Sequence, residues 1–210
     1  GYSATLPADP ARVVVLDSRA GLEMALLADY PIVATAFDDD SPLSPLVGAD
    51  AAHLKNSAFE LDREEIAAYD PDLIVVGSAW PGVYADEGLD LDAIAPVLAV
   101  KETSESPTDD DFAVMVDQLE MLDRSAQAAE VVEGYESAVT AAREDMPAEM
   151  DGATISVIHL TTEGLTVISG EEMYQAVLPD LGFEILDNEV IQSAPPAPSA
   201  TGSSNTSASS

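Results

Sequence analysis

Cysteine is absent from the 210 residues, which removes disulfides, thiolate metal sites and thiol nucleophiles together and leaves the compartment undecided. Basic residues are nearly as scarce. Seven Lys and Arg stand against 40 Asp and Glu, a formal charge of −33, and only Lys55 and Lys101 are lysines. A surface of that sign repels phosphate backbones and anionic lipid headgroups, so nucleic acid and lipid surfaces are poor partners. The plainest reading of the acidity is general solvation, as in salt-adapted or exported proteins. No apolar stretch approaches the roughly 20 residues that a membrane-spanning helix needs. Histidine occurs only as His53 and His159, in different halves, and tryptophan only as Trp80. A lone His beside an apolar strand is more often packed than catalytic. There is no G-x-S-x-G elbow and no P-loop, and Gly164 and Gly170 lack dinucleotide spacing. The triplets Asp38-Asp39-Asp40 and Asp109-Asp110-Asp111 lack the spaced ligands, turn glycine and closing glutamate of a calcium loop. They read as a solvated loop and a helix start. These absences leave no catalytic set and no metal centre, so a protein that is not an enzyme and has no resident cofactor is expected.

What is present alternates strand and helix. Val13 to Leu16 is a continuous apolar run of the kind found in strands buried on both faces. Leu22, Ala25 and Leu26 then recur at helical spacing, Pro31 ends that helix, and Ile32 to Ala36 form a second strand. Asp62 caps a further helix, with Glu65 placed to reach back in a capping box, and Asp70 before Pro71 leaves the helical region. Strands follow at Leu73 to Val76 and Val97 to Val100. From Asp110 to Met146 the periodicity is helical, with a bend at Asp123-Arg124-Ser125; Phe112, Met115, Val116, Leu119 and Leu122 form one stripe, and Ala129, Val132, Tyr135, Val139 and Ala142 another. Ile155 to Leu160 and Leu165 to Ser169 read as a hairpin with a four-residue loop, followed by a helix over Glu171 to Leu181 and a strand over Phe183 to Leu186.

Open parallel sheets bind ligands beyond the carboxyl ends of their strands. Asp17, Ser18 and Arg19 follow the first strand, Phe37 the second, and Trp80 with Tyr84 the strand ending at Val76. Aromatic and polar groups gathered on such an edge make a ligand mouth. The turn formers Ser78, Pro81 and Gly82 around Trp80 predict an exposed loop there.

In order and spacing, DPARVVVLDS, LDREEIAAYDPDLIVV, IAPVLAV, QLEMLDRSAQAAEVVEGYESAV and LTVISGEEMYQAVLPDLGFEI resemble the periplasmic binding proteins of iron-siderophore and cobalamin ABC importers. The likeness is greatest to the siderophore-binding lipoproteins of Gram-positive bacteria and covers residues 7 to about 187. It implies an α/β fold of two lobes joined by a single long helix, with the ligand in the cleft between them. It predicts an N-terminal lobe over 7–108, the interlobe helix over 109–147 and a partial C-terminal lobe over 151–191; the stretch 192–210, without apolar periodicity, is expected to be a disordered tail. It also implies that a glutamate opening the helix before D-P-D-L-I-V-V, here Glu64, docks onto arginines of a membrane permease. Arg19, Phe37, Lys55, Trp80, Tyr84 and His159 become the candidate ligand contacts. The implied setting is extracytoplasmic, as a monomer held to the outer face of the cytoplasmic membrane by a lipid anchor outside this chain.

Two departures modify that expectation. Where many siderophore binders carry an arginine that meets an anionic chelate, this chain has His159, and its field is strongly negative. Both favour a neutral or cationic ligand such as a ferric hydroxamate over a catecholate, although Arg19 and Lys55 could outweigh the net charge locally. The second lobe also gives way after Gln192 to an Ala, Pro and Ser tail, as a truncated or frameshifted product would. The chain opens Gly-Tyr-Ser, as after removal of a leader or in an expression fragment. The expected function is therefore binding of a ferric siderophore for delivery to an ABC permease. The alternatives are cobalamin, haem or, least favoured, a bare metal ion on the same fold, a small α/β hydrolase using Ser18 or Ser78, and a remnant that folds without binding.

Overall fold

The computed structural model describes residues 5–17, 19–37, 42–55, 60–101, 111–156, 158–161, 164–167 and 174–186. Ser18, the acidic triplet at 38–40 and the tail at 192–210 lie outside these residues.

Five short strands form one parallel sheet: β1 (Val13–Val15), β2 (Ile32–Thr35), β3 (Ala52–His53), β4 (Leu73–Gly77) and β5 (Val97–Val100), in the order β3-β2-β1-β4-β5. The apolar runs read from the sequence are its central strands. Their residues alternate between two cores: Val13, Val15, Leu73 and Val75 face one side, Val14, Leu16, Ile74 and Val76 the other, all within 1% of full burial. A sheet buried on both faces needs helices on both, which explains the absence of a polar alternation in these strands. The first face is covered by α1 (Ala20–Leu27), with α4 (Asp111–Met121) and α5 (Ser125–Asp145) packed beyond it through Met115, Leu119 and Ala128. The second face is covered by α2 (Arg63–Ala68) through Ile66 and by α3 (Trp80–Asp86) through Tyr84.

The helical stretch expected over 110–146 is two helices folded against one another. Phe112 near the start of α4 stacks on Tyr135 of α5, with ring centroids 4.5 Å apart, so the chain reverses between them. Asp123 makes the reversal at φ 60, a left-handed conformation that Asp tolerates better than most residues. Asp29 and Asp70, after α1 and α2, adopt the same region at φ 54 and 47. In each case an acidic side chain sits where glycine is usual and where the negative end of the helix dipole disfavours it. Asp123→Gly is expected to raise stability by about 0.5–1 kcal/mol, seen as a melting temperature about 2 °C higher. An unchanged or lower value would mean that glycine's extra freedom in the unfolded chain outweighs the relief.

Among the described residues α5 makes contact with both lobes. Its 21 residues make a rod of about 30 Å. At its start Ala128 enters the first core. Farther along, Tyr135 donates to the Asp180 carboxylate at 2.6 Å and Arg143 Nη1 to the Asp180 carbonyl at 3.3 Å. The stripe expected at Ala129, Val132, Tyr135, Val139 and Ala142 is only half covered, with both alanines exposed. The second lobe holds β6 (Thr154–Ile155) parallel to β9 (Glu184–Ile185), a hairpin of β7 (Ile158–Thr161) and β8 (Gly164–Val167), and α6 (Tyr174–Asp180). Thr161 pairs with Gly164, so the hairpin loop is two residues rather than the expected four. Thr161 and Gly164 join the ladder because neither residue type forbids extended backbone. At 151–156 and 177–186, the part of the second lobe whose burial is described, every residue is exposed or half-buried. No helix among the described residues is long and apolar enough to cross a membrane.

Candidate functional site

The carboxyl edge of the five-stranded sheet is organised by one carboxylate. Asp17, 6% exposed, follows β1. Its Oδ1 accepts the backbone N–H groups of Arg19 (2.9 Å) and Gly21 (3.1 Å), and its Oδ2 accepts that of Gly77 at the end of β4 (2.5 Å). The strand order reverses between β1 and β4, where open α/β sheets leave a crevice. Here the Asp17 carboxylate fills it, tying both strand ends to the first turn of α1. Gly21 must lack a side chain for this to work, because a Cβ there would lie 2.1 Å from Asp17 Oδ2. Asp17 is thus a clamp beneath the site, a role the sequence reading missed. Its signal is an Asp directly after a buried strand, with Ala20-Gly21 allowing close approach.

Around the clamp lie the residues named from the sequence. Arg19 precedes α1, is exposed, and its guanidinium has no partner among the described residues. Phe37 follows β2, half-buried, and meets the His53 ring edge to face at 5.7 Å, while His53 Nδ1 lies 2.8 Å from the Phe37 carbonyl oxygen and 3.2 Å from Thr35 Oγ1. Lys55 follows β3 and is exposed. Its backbone N–H donates to Glu65 Oε1 at 3.0 Å. The expected capping box is therefore only half made: Asp62 Oδ1 accepts from the amides of Glu64 (2.8 Å) and Glu65 (3.4 Å), but the Glu65 carboxylate secures the turn after β3 instead. β3, only two residues long, was invisible to periodicity, and with it the placement of His53 on this edge.

Trp80 corrects one expectation. It opens α3 rather than lying in a loop, because Pro81, a turn former elsewhere, fits the first turn of a helix. Its ring is half-buried and stacks on Tyr84 one turn later, centroids 5.5 Å apart and planes 20° from parallel. Tyr84 is a second correction. It is 1% exposed and donates its hydroxyl to the Leu16 carbonyl at 3.4 Å. Burial, with the Asp17 and Glu87 carboxylates nearby, pushes its phenol well above its ordinary pKa. It supports Trp80 from below and does not reach a ligand mouth.

The remaining two residues lie elsewhere. His159 occupies β7 in the second lobe, opposite Thr166. Glu64 is exposed in the first turn of α2 and lines a groove of about 280 Å³ with Ala67, Asp70, Pro71 and Ile94. Among the described residues no group of three or more His, Asp or Glu could hold a metal ion.

A parallel sheet with a clamped carboxyl edge, linked by one helix to a second α/β unit, defines a two-lobed binding fold. The family model of the periplasmic binding proteins matches residues 36–204, and the chain belongs to that family. Among solved structures it is similar to a TroA-like periplasmic binding protein of Xylanimonas cellulosilytica, at 24% identity and TM-score 0.58, over 86% of this chain and 60% of that one. It is similar also to the siderophore-binding protein FhuD of Vibrio cholerae bound to Fe3+–Desferal, at 21% identity and TM-score 0.64, over 83% and 66%. SirA of Staphylococcus aureus complexed with staphyloferrin B matches at 20% identity and TM-score 0.62, over 90% and 62%. The chain thus spans 60–66% of the length of these proteins. No curated protein matches it.

Proposed function

We propose that the chain binds a ferric siderophore, of the hydroxamate type, between its two lobes and delivers it to an ABC permease outside the cytoplasmic membrane. The observation that carries this reading is what stands at the carboxyl edge above the Asp17 clamp. Arg19 and Lys55 are exposed there, and Phe37 and Trp80 are half exposed, in a periplasmic binding protein fold. The ligands held by the Vibrio cholerae and Staphylococcus aureus neighbours, Fe3+–Desferal and staphyloferrin B, make a ferric siderophore the class to test first. Aromatic faces suit the organic shell of such a chelate. The formal charge of −33 favours a neutral or cationic complex over a highly anionic one. In this reading iron is cargo and no cofactor is resident. His159 approaches the ligand from the second lobe, Glu64 meets basic residues of the permease, and a lipid anchor outside this chain holds the monomer at the membrane.

Trp80 is the only tryptophan, so its emission reports from one place. A ferric hydroxamate bound at the edge is expected to quench it saturably, by contact or by energy transfer to the iron-centred band, whereas the metal-free form quenches less. Trp80→Ala, followed calorimetrically, is expected to weaken binding by about 1–3 kcal/mol. Linear, non-saturating quenching by hydroxamates, catecholates, haem and cobalamin alike would end the binding reading. Saturation by cobalamin or haem alone would replace the ligand.

A further inference from the structure

The 3-10 turn Leu91–Ala93 stands as a ridge on the face covered by α2 and α3. On one side lies the groove that contains Glu64, reaching Ala93 and Ile94. On the other lies a second groove of about 290 Å³, between α3 and the start of β5. Its floor is apolar: Leu89, Leu91 and Val97 are 9%, 4% and 6% exposed, with Ala85 above them. Its rim carries Asp90 and Asp92, both exposed, and neither carboxylate has a hydrogen-bond or ion-pair partner among the described residues. Among the described residues no basic side chain lines it, whereas Arg63 lines the first groove beside Glu64.

An apolar floor under a carboxylate rim matches the build of an arginine or lysine side chain, whose aliphatic stem covers apolar surface while its charged head stays at the polar boundary. We infer that this second groove receives a basic side chain of the same permease whose cations meet Glu64. One partner would thereby set a basic residue on each side of the Leu91–Ala93 ridge. The inference rests on the docking reading of Glu64 and adds a second point of attachment. Two anchors fix the orientation of the docked protein, which one charge pair leaves free to rotate. Val97 marks the amino-edge end of this groove, where β5 opens, while Pro81 brings its other end beside Trp80.

The test needs no permease. In the 15N-labelled chain, backbone amide shifts are followed on titration with butylguanidinium, which carries an arginine's stem and head, and with guanidinium at equal ionic strength as the stemless control. Saturable shifts are expected at Ala85, Gly88 and Leu89 and, separately, at Glu64 and Ala67, with butylguanidinium exceeding guanidinium at both. Asp90→Asn with Asp92→Asn is expected to weaken the response at 85–89 about fivefold and leave that at 64–67 unchanged. A response at 64–67 alone overturns the second anchor and keeps the Glu64 reading. A response at neither groove overturns both. Shifts no larger than with guanidinium, or undiminished in the double variant, overturn the inference by showing that the groove does not select a basic side chain.

Discussion

Asp17→Ala is expected to lower the unfolding free energy by about 3–5 kcal/mol, the largest effect of any single substitution considered. The carboxylate serves three backbone donors, at Arg19, Gly21 and Gly77, and the bonds to Gly21 and Gly77 are buried. Removing it strands those amides where water does not replace the acceptor, at about 1–3 kcal/mol for each buried donor. It also unties β4 from β1 at the edge on which the ligand reading depends. Asp17→Asn separates charge from geometry. Its carbonyl oxygen can still accept from Arg19 and Gly21, but its NH2 then faces the Gly77 N–H, donor against donor, so it should fall between wild type and alanine. Gly21→Ala attacks the same contact from the other side, since its methyl group meets Oδ2, and should cost about 1–3 kcal/mol. Denaturant unfolding followed by circular dichroism measures all three. If Asp17→Ala unfolds within 1 kcal/mol of wild type, the clamp is incidental and the strand ends are held by the hydrophobic cores alone.

Much of this architecture was legible because burial leaves a simple mark. Val13 to Leu16 and Leu73 to Val76 are unbroken apolar runs, and a strand sandwiched between helix layers has no reason to alternate. The stripe Met115, Val116, Leu119 and Leu122 likewise faces the first core. The errors fall where one residue admits two conformations or where a contact is long-range. Pro81 suits a turn and a first helical turn equally, so the sequence alone does not distinguish α3 from a loop. Asp123 reverses the chain through a backbone angle that sequence reads only as a bend. Glu65 has the spacing of a capping box but spends its carboxylate on Lys55, a partner that local sequence gives no reason to expect. At the candidate site, Arg19, Phe37, Lys55 and Trp80 could be assigned to one sheet edge because each follows a parallel strand. Tyr84 could not be separated from Trp80: a one-turn offset sends one ring to the surface and the other beneath it, and that distinction exists only once α3 is known.

The second large effect is expected from salt. With 40 carboxylates and seven cations, the folded chain concentrates like charge that the unfolded chain can spread apart, so self-repulsion opposes folding. Few of the cations relieve it. Arg12 directs its guanidinium at the Tyr69 and Asp70 carbonyls, capping α2, and Arg19 and Arg63 have no side-chain partner among the described residues. The pairs Arg124–Asp9, at 3.2 Å, and Arg143–Asp151, at 4.0 Å, each neutralise a single carboxylate. α5 adds to the self-repulsion, since its last turn ends in Glu144 and Asp145 against the negative end of its dipole, with Arg143 alone in opposition. Raising ionic strength from about 10 mM to about 1 M shrinks the screening length from roughly 30 to 3 Å. The melting temperature should rise by about 10 °C over that interval, corresponding to a few kcal/mol for a chain of this size. The gain should be largest for the second lobe, whose residues at 151–156 and 177–186 are all exposed or half-buried, so that broad or two-step melting in dilute buffer sharpens in salt. Guanidinium chloride distinguishes screening from ion-specific salting-out: at about 0.2 M it should stabilise the fold before its denaturing action takes over at higher concentration. A melting temperature that does not respond to sodium chloride, or that rises equally with an uncharged osmolyte such as sucrose, would show that the carboxylates are already accommodated and that charge is not what limits this fold.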